Sequence, residues 1–186
     1  CFRLATNALY QMENASIALT VCAVLKDSGV KLDDRLTKEA VSKTHWAGRM
    51  ELVKDNLYVD GAHNPQGIRS FVDSVDSLYE SEKLSDATLL FSVVSDKNYD
   101  QMIKILCECK HFKCVYVTMT GGVRRLSSEI IKQAFEAHLR GISIEIFDSV
   151  DGAVHEWDNG LMFATGSLYL VGDVVRALER KENNHD

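Results

Sequence analysis

Residues 57–67 read LYVDGAHNPQG, and the change of pattern inside them sets the fold class. Leu57, Tyr58 and Val59 form an apolar, strand-favouring run, and Gly61 permits a tight turn. Asn64 is a good helix N-cap. Pro65, the one proline in 186 residues, fits the first helical position, where its missing N–H has no partner to lose. A strand therefore ends at Asp60 and runs directly into a helix over 65–79, with Ile68, Phe71, Val72, Val75 and Leu78 on one face.

The same unit recurs towards the carboxyl end. TLLFSVV (88–94) precedes a helix carrying Met102, Ile103 and Leu106. CVYVTM (114–119) leads through TGG to a helix with Ile130, Ile131, Ala134 and Phe135. ISIEIF (142–147) precedes a short helix with Val150, Val154 and Trp157, and LMFAT (161–165) precedes a last one with Leu168, Leu170, Val171, Val174, Val175 and Leu178. On the amino side RMELV (49–53) alternates and lies close enough to 57–60 to pair with it as an antiparallel hairpin. Serial strand–helix units need right-handed crossovers, and several strands are apolar on both faces. The expected fold is α/β: a Rossmann-like, mainly parallel six-stranded sheet with one antiparallel edge strand and helices on both faces.

Ahead of this domain an apolar series from Asn14 (Ile17, Ala18, Val21, Cys22, Val24, Leu25) has helical spacing and stops at Ser28-Gly29. The polar stretch 30–46 reads as a connector, short-helical at most. We place the division at 1–44, the tail of a preceding domain and a linker, and 45–186, the Rossmann-like domain. The charged end ERKENNHD (179–186) should fray.

A net charge of −6, with no basic run longer than Arg124-Arg125, argues against nucleic acid as a partner. No apolar stretch is long enough for a membrane span, and CFRLATNALY (1–10) lacks a signal-peptide layout, so a cytoplasmic protein is expected. The five cysteines (Cys1, Cys22, Cys107, Cys109, Cys114) show no CxxC spacing and indicate neither a disulfide framework nor a zinc site. Cys107 and Cys109 read as packing or surface thiols on a helix. His45, His111, His138, His155 and His185 lack ligand-like partners and read as surface or packing residues.

Ligands of open parallel sheets bind beyond the carboxyl ends of the strands, which directs attention to three loops. In DGAHNPQG, helix-start chemistry explains Asn64 and Pro65 but neither Asp60, a carboxylate able to hold ribose hydroxyls, nor His63, able to approach an anion. In SDKN (95–98), Ser95 or Asp96 can cap the next helix, and Lys97 stands at the rim, able to meet a carboxylate. In ATGS (164–167), Ser167 can cap the last helix while free N–H groups around Gly166 offer an anion site. Arg124-Arg125 reads as a solvated loop more readily than as an anion site. Neither GxxxxGK[ST] nor GxGxxG occurs, so the phosphates of any nucleotide must be gripped mainly from outside these residues.

HWAGRMELV (45–53), LYVDGAHNPQG, VVSDKNYDQM (93–102) and FATGSLYLVGDV (163–174), preceded by YQMENASIAL (10–19), resemble in order and spacing the folylpolyglutamate and dihydrofolate synthases of the Mur ligase superfamily. The resemblance implies the C-terminal domain of an ATP-dependent amide ligase. Its members use ATP and Mg2+ to activate a pterin-linked carboxylate as an acyl phosphate, which the amine of L-glutamate attacks. It further implies a folate or dihydropteroate substrate. An N-terminal ATPase domain would hold the phosphate loop and the metal ligands, so no metal residue is assigned here and the fragment alone should be inactive. By position, Asn14 matches the adenine contact, Arg49 the contact to the ATP phosphates and Asp60 the ribose contact. His63, Lys97 and Ser167 match positions near the incoming glutamate or the acyl phosphate. The sequence departs from the family at Ala47, where proline is common, at Asn98, where aspartate often follows Asp-Lys, and in the short hairpin between Arg49 and Asp60. A Mur-type ligase of cell-wall precursors and a non-catalytic binding module are the rival readings.

Overall fold

A computed structural model describes residues 4–121, 125–139 and 141–183. Cys1, Gly122, Arg124 and His185, with the end of the charged tail, lie outside the described residues. Six strands, β1 (Glu51–Lys54), β2 (Leu57–Val59), β3 (Ala87–Phe91), β4 (Phe112–Thr118), β5 (Ser143–Phe147) and β6 (Met162–Thr165), form one sheet in the order β1-β2-β6-β3-β4-β5. β1 and β2 pair antiparallel across the hairpin, and all other neighbours are parallel. The expected fold class is the one observed.

Strand alternation splits the core into two layers. Tyr58, Leu89, Phe91, Val115, Val117 and Phe163 point to the face covered by α3 (Pro65–Ser81), α4 (Tyr99–Leu106) and α5 (Ser128–His138). Leu57, Val59, Leu90, Met162 and Ala164 point to the other, covered by α6 (Val150–Glu156) and α7 (Leu168–Asn183). β6 thus feeds a helix on one face while both its neighbours, β2 and β3, feed helices on the opposite face. In open parallel sheets such a reversal marks where ligands bind, here the carboxyl end of β6 flanked by the ends of β2 and β3.

Several local expectations hold and others do not. Asn64 caps α3, its Oδ1 accepting from the Gly67 N–H at 2.8 Å, with Pro65 at the first turn. The N-cap of α4 is Asn98, which accepts from the Gln101 N–H, not Ser95 or Asp96. Cys107 and Cys109 lie just past the end of α4 rather than on it, and burial pushes both thiols up, to about 12 and about 11, as befits packing groups.

The first helix, α1 (Tyr10–Asp27), begins one turn earlier than the apolar series, and Ile17, Val21, Val24 and Leu25 are exposed along it. The stretch expected to be a connector holds a ten-residue helix, α2 (Asp34–Lys43). Local polar chemistry makes it: Asp33 caps it through the Leu36 N–H at 2.8 Å, and Glu39 pairs with both Arg35 and Lys43. No helix among the described residues is long and apolar enough to cross a membrane.

Candidate functional site

Asp60 directly follows β2 and is 1% exposed. Its Oδ2 accepts two hydrogen bonds, from the Tyr10 hydroxyl at 2.8 Å and from the Met50 N–H at 2.9 Å, and its Oδ1 accepts from the Ala62 N–H at 2.8 Å. A carboxylate offers about four acceptor positions, so one on Oδ1 remains. Burial pushes the Asp60 carboxyl above its ordinary value, and the bonds from Tyr10, Ala62 and Met50, with the Arg49 charge, oppose that rise. Burial and the adjoining carboxylate push the Tyr10 hydroxyl up as well, so it stays protonated and remains a donor.

The partners of Asp60 place Arg49. Met50 is a buried non-glycine residue with φ of +44°, a left-handed conformation that costs roughly 1–2 kcal/mol. Its N–H on Asp60 compensates. The turn carrying Arg49 is pinned twice more, by the Gly48 N–H on Glu51 Oε2 at 2.6 Å and by the Gly61 N–H on the Gly48 carbonyl at 2.8 Å. From this turn the Arg49 guanidinium lies over Gly61. The hairpin, though short, delivers Arg49 to the β2–α3 loop.

Arg49 also lines a cleft of about 630 Å³, together with Asn14, Gln11, His45, Trp46 and Thr6. Asn14 faces it from α1, its amide donating to Gln11 Oε1 at 2.6 Å, and Trp46, 66% exposed, stands at its edge. The volume is in the range of small-ligand sites, and an amide, a guanidinium and an indole suit a nucleoside carrying anionic groups. Asp60 stands behind the turn that carries Arg49, not on the cleft lining.

His63 follows the same loop. Its Nδ1 is 2.8 Å from the Gly61 carbonyl oxygen, which can only accept, so Nδ1 carries the proton and Nε2 of the neutral ring is an acceptor. Ser167 is buried and caps α7, its Oγ accepting from the Tyr169 N–H at 3.1 Å, which leaves its O–H as a donor. The Gly166 N–H, expected to be free, is bonded to the Ala62 carbonyl at 3.0 Å. Gly166 therefore joins the β6 and β2 ends instead of offering its own N–H to an anion. Its φ of +112° and the closeness of Ser92 and Phe91 leave no room for a side chain. Lys97 stands on the neighbouring β3–α4 loop, its N–H bonded to the Val94 carbonyl at 3.2 Å, and among the described residues no hydrogen bond or ion pair ties it to the other five.

Of the six residues singled out from the sequence, Asn14 and Arg49 share one cleft, Asp60 and His63 belong to the loop against which Arg49 packs, and Ser167 joins through Gly166. Tyr10 and Met50 were missed. The quoted YQMEN and GRME stretches contain both, yet neither a tyrosine at a helix start nor a left-handed methionine announces a partner ten or fifty residues away. No three of His, Cys, Asp or Glu are placed to hold a metal ion among the described residues.

Residues 48–171 match the family model described as Mur ligase, glutamate ligase domain. The chain is 26% identical over 178 residues to a dihydrofolate synthase/folylpolyglutamate synthase of Bacillus subtilis, an alignment covering 91% of the chain and 39% of that relative. It therefore spans about two fifths of the curated relative's length. The crystal structure of a Thermotoga maritima folylpolyglutamate synthase matches with a TM-score of 0.75 at 25% identity, over 96% of the chain and 40% of its own. A Mycobacterium tuberculosis folylpolyglutamate synthase complexed with ADP matches in fold with a TM-score of 0.75 at 21% identity, over 98% and 42%.

Proposed function

Since the chain belongs to the Mur ligase family, as a glutamate ligase domain, we propose that it supplies one wall of the active site of an ATP-dependent ligase that adds L-glutamate to a folate or dihydropteroate. The observation that carries this reading is the shared cleft of Asn14 and Arg49, built against the Asp60 loop. Asn14 reads the edge of the adenine, and Arg49 holds phosphate oxygens with a planar fork of donors. Asp60 accepts a ribose hydroxyl at its remaining Oδ1 position once the loop opens, because in its present pose the carboxylate is enclosed.

Bound ATP with Mg2+ supplies the phosphoryl group that activates a pterin-linked carboxylate. Against that activated group this chain presents His63 with its Nε2 as acceptor, Lys97 as a cation and Ser167 as a hydroxyl donor. A cation and a donor hold the carboxylates of the incoming glutamate, and a preoriented imidazole accepts a proton from its amine. The phosphate loop and the metal ligands come from an N-terminal ATPase domain of the same cytoplasmic protein. The exposed apolar row Ile17, Val21, Val24 and Leu25 on α1 is the surface offered to it.

ADP release by the full-length ligase tests the reading with dihydropteroate, tetrahydrofolate and a UDP-muramoyl peptide as acceptors. Release that requires L-glutamate and either pterin supports it. Release with the muramoyl peptide alone assigns the protein to cell-wall precursors, and no release with any acceptor leaves a binding module.

A further inference from the structure

Tyr10 opens α1, and the structure fixes it firmly to the Rossmann-like domain. Ala8 is buried in the α3-side core, the Leu9 N–H donates to Ser74 Oγ on α3 at 3.1 Å, and the Tyr10 hydroxyl meets Asp60 Oδ2 at 2.8 Å. Beyond this end no residue of α1 is fully buried, and its far end is tied to α2 through the exposed Lys26–Asp34 ion pair, so the first turn carries its buried anchor to the Rossmann-like domain. Asn14 lies four residues on, one turn along the same face, and looks into the cleft. The oxygen that receives the Tyr10 hydroxyl also receives the Met50 N–H, and Met50 sets the turn from which Arg49 projects.

We propose that Tyr10 is a positioning residue which, by holding Asp60 Oδ2, sets the placement of Asn14 relative to Arg49 across the cleft. The proposal rests on the reading of that cleft as a nucleotide site. One carboxylate oxygen ties the helix bearing one contact to the turn bearing the other. Removing the hydroxyl frees α1 to pivot and leaves Asp60 able to rotate away from the Met50 N–H. A ligand that uses both ends of the cleft loses affinity through both, whereas a ligand that uses only Arg49 loses less.

Tyr10→Phe keeps the ring and removes only the hydroxyl. In this chain, amide hydrogen exchange at Met50 should quicken roughly tenfold, the size expected for losing a hydrogen bond to a charged group. In the full-length ligase the KM for ATP should rise roughly tenfold with kcat little changed, while inhibition by inorganic tripolyphosphate, which has no base to place, weakens by clearly less. Unchanged Met50 exchange overturns the proposal, as does equal weakening of ATP and tripolyphosphate, which a general loss of stability would produce. A wild-type protein that binds no ATP removes the nucleotide reading and the proposal with it. A wild-type protein that binds ATP beside a variant indistinguishable from it removes the proposal alone.

Discussion

Gly61 and Arg49 are in contact across the hairpin: a Cβ added to Gly61 would stand 2.8 Å from Arg49 Nη1, within the space of the Leu168 side chain as well. The absence of a side chain on the DGAHNP loop is what lets the guanidinium lie over it. The loop and the arginine are thus two halves of one construction, although ten residues separate Arg49 from the Asp60 Oδ2 that holds the next residue's N–H.

Gly61→Ala and Gly166→Ala should fail in different ways. At Gly61 the obstructing atoms are the ends of two flexible side chains, so stability changes by less than about 1 kcal/mol while Arg49 is displaced and the KM for ATP rises. At Gly166 the obstruction is the Ser92 backbone and the Phe91 ring, with φ at +112°, and the fold loses about 2–4 kcal/mol. Urea unfolding of both variants checks the contrast, and equal losses would refute it.

Asp60→Asn places an NH2 group where one of the three donors now points, and costs about 1–3 kcal/mol. Its pH dependence has a definite sign. Burial raises the folded carboxyl above 3.8, so between that value and the raised one the folded state holds a proton that the unfolded state has released. The wild type therefore loses stability relative to the asparagine variant as pH rises through this window. Unfolding free energies measured from pH 4 upward test this, and a relative stability that climbs with pH would contradict it.

His63→Asn and His63→Gln separate the two ring nitrogens. Asparagine can keep a donor on the Gly61 carbonyl where Nδ1 now stands but has nothing at Nε2, whereas glutamine reaches the Nε2 position without that anchor. If proton transfer uses Nε2, the asparagine variant loses about 100-fold or more in kcat with the fold intact, and glutamine does no better because an amide is not a base. Near wild-type turnover in His63→Asn would assign the ring to loop structure alone.

The fold was legible because its signals are local. Asn64-Pro65, strand runs apolar on both faces and the α3 face from Ile68 to Leu78 each declare an element without help from the rest of the chain. The same locality gave a weaker signal at residues 30–46, where helix α2 is held by a cap and charge pairs rather than by an apolar stripe. In the site, Asp60 stood out by residue type and position, and Arg49 through the resemblance carried by HWAGRMELV. What Asp60 touches did not, since Tyr10 reaches it from another helix and Met50 through a left-handed backbone that no propensity favours. Among the N–H groups expected to be free around Gly166, that of Gly166 itself is not, for a related reason: the loop after β6 spends it on the neighbouring loop.

The most direct measurement is the KM for ATP of the full-length ligase carrying Arg49→Ala, beside the unfolding free energy of the same variant in this chain. Arg49 is half-buried on a turn whose own backbone groups are held by the carboxylates of Glu51 and Asp60 and by the Gly61 N–H, while the guanidinium adds only a long bond from Nη1 to the Gly48 carbonyl at 3.4 Å. Its side chain can therefore be removed with little harm to the fold. If the chain forms a wall of the nucleotide site, KM rises by about tenfold or more while stability changes by less than about 1 kcal/mol. An unchanged KM in a stably folded variant would contradict the assignment.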